Sequence, residues 1–152
     1  MRMRARPSAS DPARLTRAPV AAECAGLLYL GRELDGVPMC GILDVRTAMS
    51  PRLTLGYREA VATADSVLAP AGTLVRGHEF HRTHADPVAG PAPAWRWSGA
   101  RPEGFVHGGV HAAYLHLNWA GTPRLAERFV STCAAGGPSP RSPRAEQQHA
   151  HR

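Results

Sequence analysis

No lysine occurs in this chain; all 18 basic residues are arginine. That removes lysine chemistry at once. There is no residue to form a Schiff base, and none to complete a Gly-x-x-x-x-Gly-Lys phosphate loop. Ala, Gly and Pro are abundant, so the arginine bias fits GC-rich coding and is not read as design. Cysteine is scarce: Cys24, Cys40 and Cys133 stand far apart. They form no Cys-x-x-Cys pair and no zinc spacing, and an odd number does not make a disulfide framework. A reducing, cytoplasmic setting is the simplest inference. No apolar run approaches membrane-spanning length, and the arginines near the start are not followed by the apolar core of a secretion signal. Aromatic residues make up only 6% and alternate with a basic residue only locally, as in Trp95-Arg96-Trp97; neither a membrane nor a nucleic acid is expected as partner.

The formal charge of +6 resolves once it is placed along the chain. Residues 1–17 carry five arginines against Asp11, and residues 133–152 carry three against Glu146. Residues 18–132 hold ten arginines and ten acids, so the middle is neutral. Basic ends of this kind are usually solvated tails. An arginine-rich nucleic-acid-binding protein is the competing reading from charge, and the neutral middle counts against it. A chain of 152 residues allows one domain with a core of its own. The expected division is a disordered tail over 1–17, a domain over 18–132, and a second disordered tail over 133–152.

Within the domain, residues 19–22 read as a short buried strand and 25–30 as a helix that Gly31 can end. Residues 32–38 read as a turn, 39–45 as an apolar strand, and 49–53 as a connection because of Pro51. A strand is expected over 56–64 and a turn around Pro70 over 68–72. Residues 74–83 alternate with period two, with Gly77 permitting a bulge or a close backbone approach. A proline-rich loop over 84–93 leads to short strands at 94–97 and 105–106, then one buried strand over 110–119. Thr122 is a cap candidate before Pro123, and Leu125, Phe129 and Val130 give a helix one apolar face to about Thr132.

The stretch Ala22-Glu23-Cys24-Ala25-Gly26 is where this pattern becomes chemistry. A strand breaking sharply into a helix displays the side chain at the break and aims free backbone N–H groups at what it attacks. Cysteine attacks as the thiolate, so it needs a helix N-terminus or a histidine to lower its pKa. Cys24 has the first locally. For the second, His78, His81, His84, His107, His111 and His116 are candidates, with His116 best placed near the end of an expected core strand. Asn118 lies on the same side at i+2. The plain alternative is that Cys24 is a core thiol. A metal site from His78, His81 and His84 is also open, since spacings of three suit ligands.

These residues also carry a resemblance. The runs are Ala-Glu-Cys-Ala-Gly-Leu-Leu-Tyr-Leu-Gly at 22–31, Val-Pro-Met-Cys-Gly at 37–41 and Leu-Gly-Tyr-Arg-Glu-Ala at 55–60. They continue with Leu-Ala-Pro-Ala-Gly-Thr-Leu-Val-Arg-Gly-His-Glu-Phe-His at 68–81 and His-Gly-Gly-Val-His-Ala-Ala-Tyr-Leu-His-Leu at 107–117. Over about 18–132 the chain resembles the C-terminal glutamine amidotransferase domain of cobyrinic acid a,c-diamide synthase, which in some organisms acts on hydrogenobyrinic acid. The resemblance implies an α/β fold: a partial class I (flavodoxin-like) amidotransferase domain, a mixed sheet with few flanking helices. It implies that Cys24 attacks glutamine to form a thioester and that His116 raises its nucleophilicity and shuttles the proton. The ammonia would amidate corrin acetate side chains, in cobyrinate or hydrogenobyrinate, after ATP with Mg2+ activates them. Arg76, His78, Glu79 and His81 match a family signature near the active face; substrate contact and a structural polar network are both open for them.

The departures from the family pattern are equally specific. The ATP-dependent synthetase domain is not in this sequence, so the chain is expected to bind no cofactor or metal itself and to depend on a separate synthetase polypeptide. The Gly-rich loop that supplies part of the oxyanion hole does not precede Cys24, which reads as N-terminal truncation; loss of one such donor costs about 10²–10³ in rate. The Ala25 N–H would be the remaining donor, with Ala where Gly is usual. Asn118 stands where the family pattern His-x-His has its second histidine. Missing first strands would expose sheet edges and make the chain marginally stable or partner-dependent. A catalytically inactive remnant is therefore the rival reading.

Overall fold

The computed structural model describes residues 18–97 and 102–136, so the tail expected at 1–17 and all of the second tail beyond 136 lie outside the described residues. The elements in chain order are β1 (Val20–Glu23), α1 (Ala25–Leu30), β2 (Glu33–Leu34), β3 (Val37–Pro38), β4 (Arg46–Ala62) and β5 (Leu74–Asp86). They continue as β6 (Trp95–Arg96), β7 (Phe105–His107), β8 (Val110–Ala113), β9 (His116–Leu117) and α2 (Pro123–Gly136). Two sheets result. One has the order β1-β8-β7, with β1 and β8 parallel; the other has the order β3-β2-β4-β5-β9, with β6 pairing β4. This is the mixed α/β arrangement with few helices that the sequence suggests.

Three local expectations are corrected, each for a backbone reason. Residues 39–45 are not a strand. The N–H groups of Cys40, Ile42 and Leu43 bond the carbonyls of Tyr29 and Leu30, and that of Gly41 bonds Gly31. The run thus satisfies the carbonyls left free at the end of α1 while Ile42, Leu43 and Val45 turn inward. Residues 49–53 are not a connection but part of the long strand β4. Pairing jumps from Met49↔Thr83 to Thr54↔His81, so Pro51 sits in a bulge where no ladder N–H is needed. Residues 110–119 are not one strand: the chain leaves the first sheet after Ala113 and enters the second at His116.

Two apolar clusters lie on the two faces of the β1-β8-β7 sheet, one between it and α1, the other between it and the β4–β5 sheet. One joins Leu27 and Leu30 of α1 with Leu43, Val45, Phe105, Val110 and Tyr114. The other joins Ala60, Leu68, Val75, Trp95, Leu115, Leu117 and Leu125. The α2 helix contributes Leu125 to the second and runs to Gly136, four residues beyond the expected end; Thr122 turns its hydroxyl back to Asn118 O instead of capping. The outer face of the β4–β5 ribbon is open and mixed, with Leu55, Tyr57, Leu74 and Phe80 exposed, Tyr57 at 91%, among Glu59, Arg76, His78 and Arg82. Among the described residues the outer edge of β1 is unpaired, and no helix is long and apolar enough to cross a membrane.

Candidate active site

Cys24 adopts φ 49°, ψ −105°, a left-handed backbone that a non-glycine residue holds only where its surroundings enforce it. Here they do. Val20–Glu23 is locked in register with Val110–Ala113, and the Cys24 N–H donates to Ala113 O at 2.8 Å. On the other side α1 begins at once, and Gly26 packs so tightly that an added Cβ would stand 3.1 Å from the Ala22 Cβ. The thiol is half-buried, and its sulfur lies 3.9 Å from Phe80 O on β5. Burial pushes the thiol pKa above its ordinary range; the Ala25 N–H pulls it part of the way down, and the neighbouring Glu23 charge adds to the rise.

His116 reaches the same strand. It pairs with His78 in the β5–β9 register, and its Nδ1 donates to His78 O at 3.2 Å. That bond leaves Nε2 as the basic nitrogen. The ring stacks flat on His78, 4.8 Å between centroids. The structure therefore brings Cys24 and His116 to one edge of β5, at Phe80 and at His78, two positions apart. Among the described residues no hydrogen bond joins them. Gly77 is what lets β9 approach: a Cβ there would meet His116 O. The close approach expected at Gly77 is found, without a bulge at that position.

The signature residues divide between the two faces of β5, as strand alternation requires. Arg76 and His78 face outward. Arg76 holds Glu59 at 2.7–2.8 Å in an exposed ion pair. A groove of about 660 Å3 opens on this face, lined by Tyr57, Arg58, Glu59, Arg76, Gly77, His78, Leu117 and Asn118. Glu79 and His81 face inward. Arg58 Nε donates to Glu79 Oε2 at 2.8 Å, and His81 Nε2 lies 3.5 Å from Glu79 Oε1. Burial opposes the charge on Glu79, but His81 and the Arg58 guanidinium outweigh it and hold its pKa below the usual carboxylate range. His81 donates through Nδ1 to Thr83 O and stacks on Tyr114 at 3.8 Å. Asn118 accepts from Gly121 N at 3.1 Å, shaping the turn into α2.

The remaining histidines go elsewhere. His84 is exposed on the outer face of β5, opposite in direction to His81, so strand alternation separates the three histidines considered as a metal site. No group of three His, Cys, Asp or Glu residues is disposed to hold a metal ion among the described residues. His107 is exposed at the end of β7. His111 is buried, bonded through Nδ1 to Ser66 Oγ at 2.9 Å, and burial pushes its pKa down to about 4.

Two carboxylates escaped the sequence reading. Glu23 Oε1 accepts from Leu117 N at 3.3 Å and from Trp119 Nε1 at 3.1 Å, tying the strand before Cys24 to the strand of His116. An acid closing an otherwise apolar strand was the available signal. Glu103, between Pro102 and Gly104, lies in a stretch to which the sequence pattern assigns no element, and it is only 4% exposed. Its two oxygens accept from Tyr114 N at 3.2 Å and Leu115 N at 3.3 Å.

Comparison with known proteins gives this site a lineage. Residues 12–123 match the model of the CobB/CobQ-like glutamine amidotransferase domain. The chain is 67% identical over 118 residues to hydrogenobyrinate a,c-diamide synthase of Streptomyces coelicolor, covering 76% of this chain and 24% of that protein. It is 50% identical over 125 residues to the enzyme of the same name from Mycobacterium tuberculosis, covering 80% and 27%. Against cobyrinate a,c-diamide synthase of Gloeobacter violaceus the identity is 43% over 122 residues, covering 77% and 27%. The chain thus spans about a quarter of the length of these relatives. A GMP synthase subunit from Thermoplasma acidophilum shares the fold at a TM-score of 0.50 and 14% identity, covering 77% of this chain and 58% of that one. The chain belongs to the CobB/CobQ-like family of glutamine amidotransferase domains, with the class I amidotransferase fold.

Proposed function

We propose that this chain carries the glutamine-hydrolysing, ammonia-supplying step of a hydrogenobyrinate or cobyrinate a,c-diamide synthase, with Cys24 as nucleophile and His116 as its base. The observation that carries the reading is the left-handed Cys24 elbow, anchored to Ala113 O, on the same strand edge that holds His116. His116 Nε2 takes the thiol proton, and the sulfur attacks the amide carbon of glutamine. The tetrahedral oxyanion that forms faces the Ala25 N–H. It collapses to a thioester as ammonia leaves with the proton returned by His116. Water, deprotonated by the same imidazole, then cleaves the thioester to glutamate and restores the thiol. Burial disfavours the resting thiolate, so the imidazole is needed to take the proton for attack.

Activation of the corrin carboxylates by ATP and Mg2+ belongs to a separate synthetase portion. The sequence has no lysine for a phosphate loop. Its free cysteines suit a reducing, cytoplasmic setting. The reading that this is an inactive remnant draws on the raised thiol pKa and the lack of a direct Cys24–His116 bond. Glutamate release, measured with and without a co-expressed synthetase half, separates the two. Cys24→Ser is expected to abolish it and His116→Ala to lower it by about 10²-fold or more. Glutaminase activity that survives Cys24→Ser refutes the thioester route.

A further inference from the structure

We propose that Glu103 is a positioning residue for this chemistry: its carboxylate clamps the backbone where the chain crosses between the two sheets, and so sets His116 relative to Cys24. The inference rests on the glutaminase reading above. Side chains keep alternating through the crossing, Tyr114 toward the cluster under α1 and Leu115 toward the cluster between the sheets, but the pairing does not: the first ladder ends at Ala113 and the second begins at His116. At such a break neither strand ladder takes up the N–H groups, and both are buried. Glu103 accepts one with each oxygen, Tyr114 N on Oε2 and Leu115 N on Oε1. The residue before the clamp is Ala113, whose carbonyl anchors the Cys24 N–H, and the residue after it is His116.

The clamp is itself held. Glu103 exchanges backbone hydrogen bonds with buried Trp95, at 2.9 and 3.0 Å. The carboxyl faces Glu79 and His81 from β5 and the Tyr114 phenol, with Arg58 reaching Glu79. An amide in its place offers one acceptor and presents an NH2 to the other backbone N–H, so a carboxylate, and not mere polarity, is what the geometry requires. A misplacement of about 1 Å at a base is enough to cost about 10²-fold in rate.

The test uses the full chain. In Glu103→Gln, trapping of Cys24 by a glutamine-mimicking diazoketone is expected to fall about tenfold or more relative to alkylation of the same thiol by iodoacetamide. The ring-current shifts of the His116 protons from the His78 stack are expected to be lost in NMR spectra, while unfolding stays cooperative. Unchanged His116 ring shifts in Glu103→Gln overturn the proposal. A measurement on the unmutated chain guards against a variant that fails to fold: the Tyr114 and Leu115 amides should exchange slowly with solvent, and rapid exchange at both overturns the clamp. A wild-type chain trapped no better than Cys24→Ser refutes the glutaminase reading instead, and the ring shifts still decide whether Glu103 places His116.

Discussion

Two buried titratable groups should tilt the stability of this protein with pH in opposite directions. Glu103 is 4% exposed and His111 2% exposed. Burial is the main cause of both shifts. It raises Glu103 from 4.5 to about 7, against the two amides that bond it, and lowers His111 from 6.5 to about 4. The folded state therefore holds the Glu103 proton to higher pH than the unfolded chain does. Its contribution is fully present below about pH 4.5 and is lost as pH rises to about 7. For His111 the folded state gives up its proton early, so its contribution is present above about pH 6.5 and is lost as pH falls to about 4. Each difference corresponds to roughly 3 kcal/mol. Between about pH 4.5 and 6.5 the two slopes oppose and nearly cancel.

The cancellation is testable because each variant removes one slope and leaves every other titration common. Urea unfolding, followed by the fluorescence of buried Trp95, gives the free energy at intervals from pH 4 to 7.5. For Glu103→Gln, stability relative to wild type should rise by roughly 3 kcal/mol from pH 4.5 to 7, whatever the constant offset of the substitution. For His111→Gln it should fall by a similar amount from pH 4 to 6.5. Offsets that do not vary with pH in either variant refute the burial argument.

Three further outcomes follow from the same geometry. Gly77→Ala places a Cβ against His116 O, so it should destabilise by about 1–3 kcal/mol in urea unfolding and lower glutamate release through displaced β9. Glu23→Ala leaves Leu117 N and Trp119 Nε1 without their acceptor; a loss of about 1–3 kcal/mol and a Trp119 indole shift in NMR are expected, whereas an unmoved indole signal counts against the tie. Because burial raises the Cys24 pKa, its alkylation by iodoacetamide, read by peptide mass, should still be rising with pH beyond about 8.5, where an ordinary thiol is half-ionised.

What was legible in the sequence is what depends on near neighbours. The helix of residues 25–30 with Gly31 at its end, the turn around Pro70, and the alternating strand after Leu74 all appear where local pattern puts them. The elbow at Cys24 was legible too, because a strand and a helix meet within a few residues. The errors share one cause: the partner of the backbone lies far along the chain. Residues 39–45 have strand composition, but their donors are spent on the end of α1. Pro51 looks like a break until a bulge in the ladder accommodates it. The strand expected over 110–119 divides because a carboxylate eleven residues upstream takes its amides. Glu23 acts on a residue 94 positions away, and no periodicity reports that.

The distribution of these bonds bears on where the protein gives way. Cys24 packs against one core, and His116 lies between Leu115 and Leu117 of the other. Their relative position is thus fixed by neither core alone but by the seam, which Glu23 and Glu103 hold through four hydrogen bonds of 3.1–3.3 Å. Such bonds contribute about 1.5–3 kcal/mol each at most when an acceptor is charged, far less than the apolar burial on either side. The seam should therefore open before either core melts, separating Cys24 from His116 while both sheets persist. Tightening it would raise the fraction of molecules with Cys24 and His116 in register without adding a single group to the site.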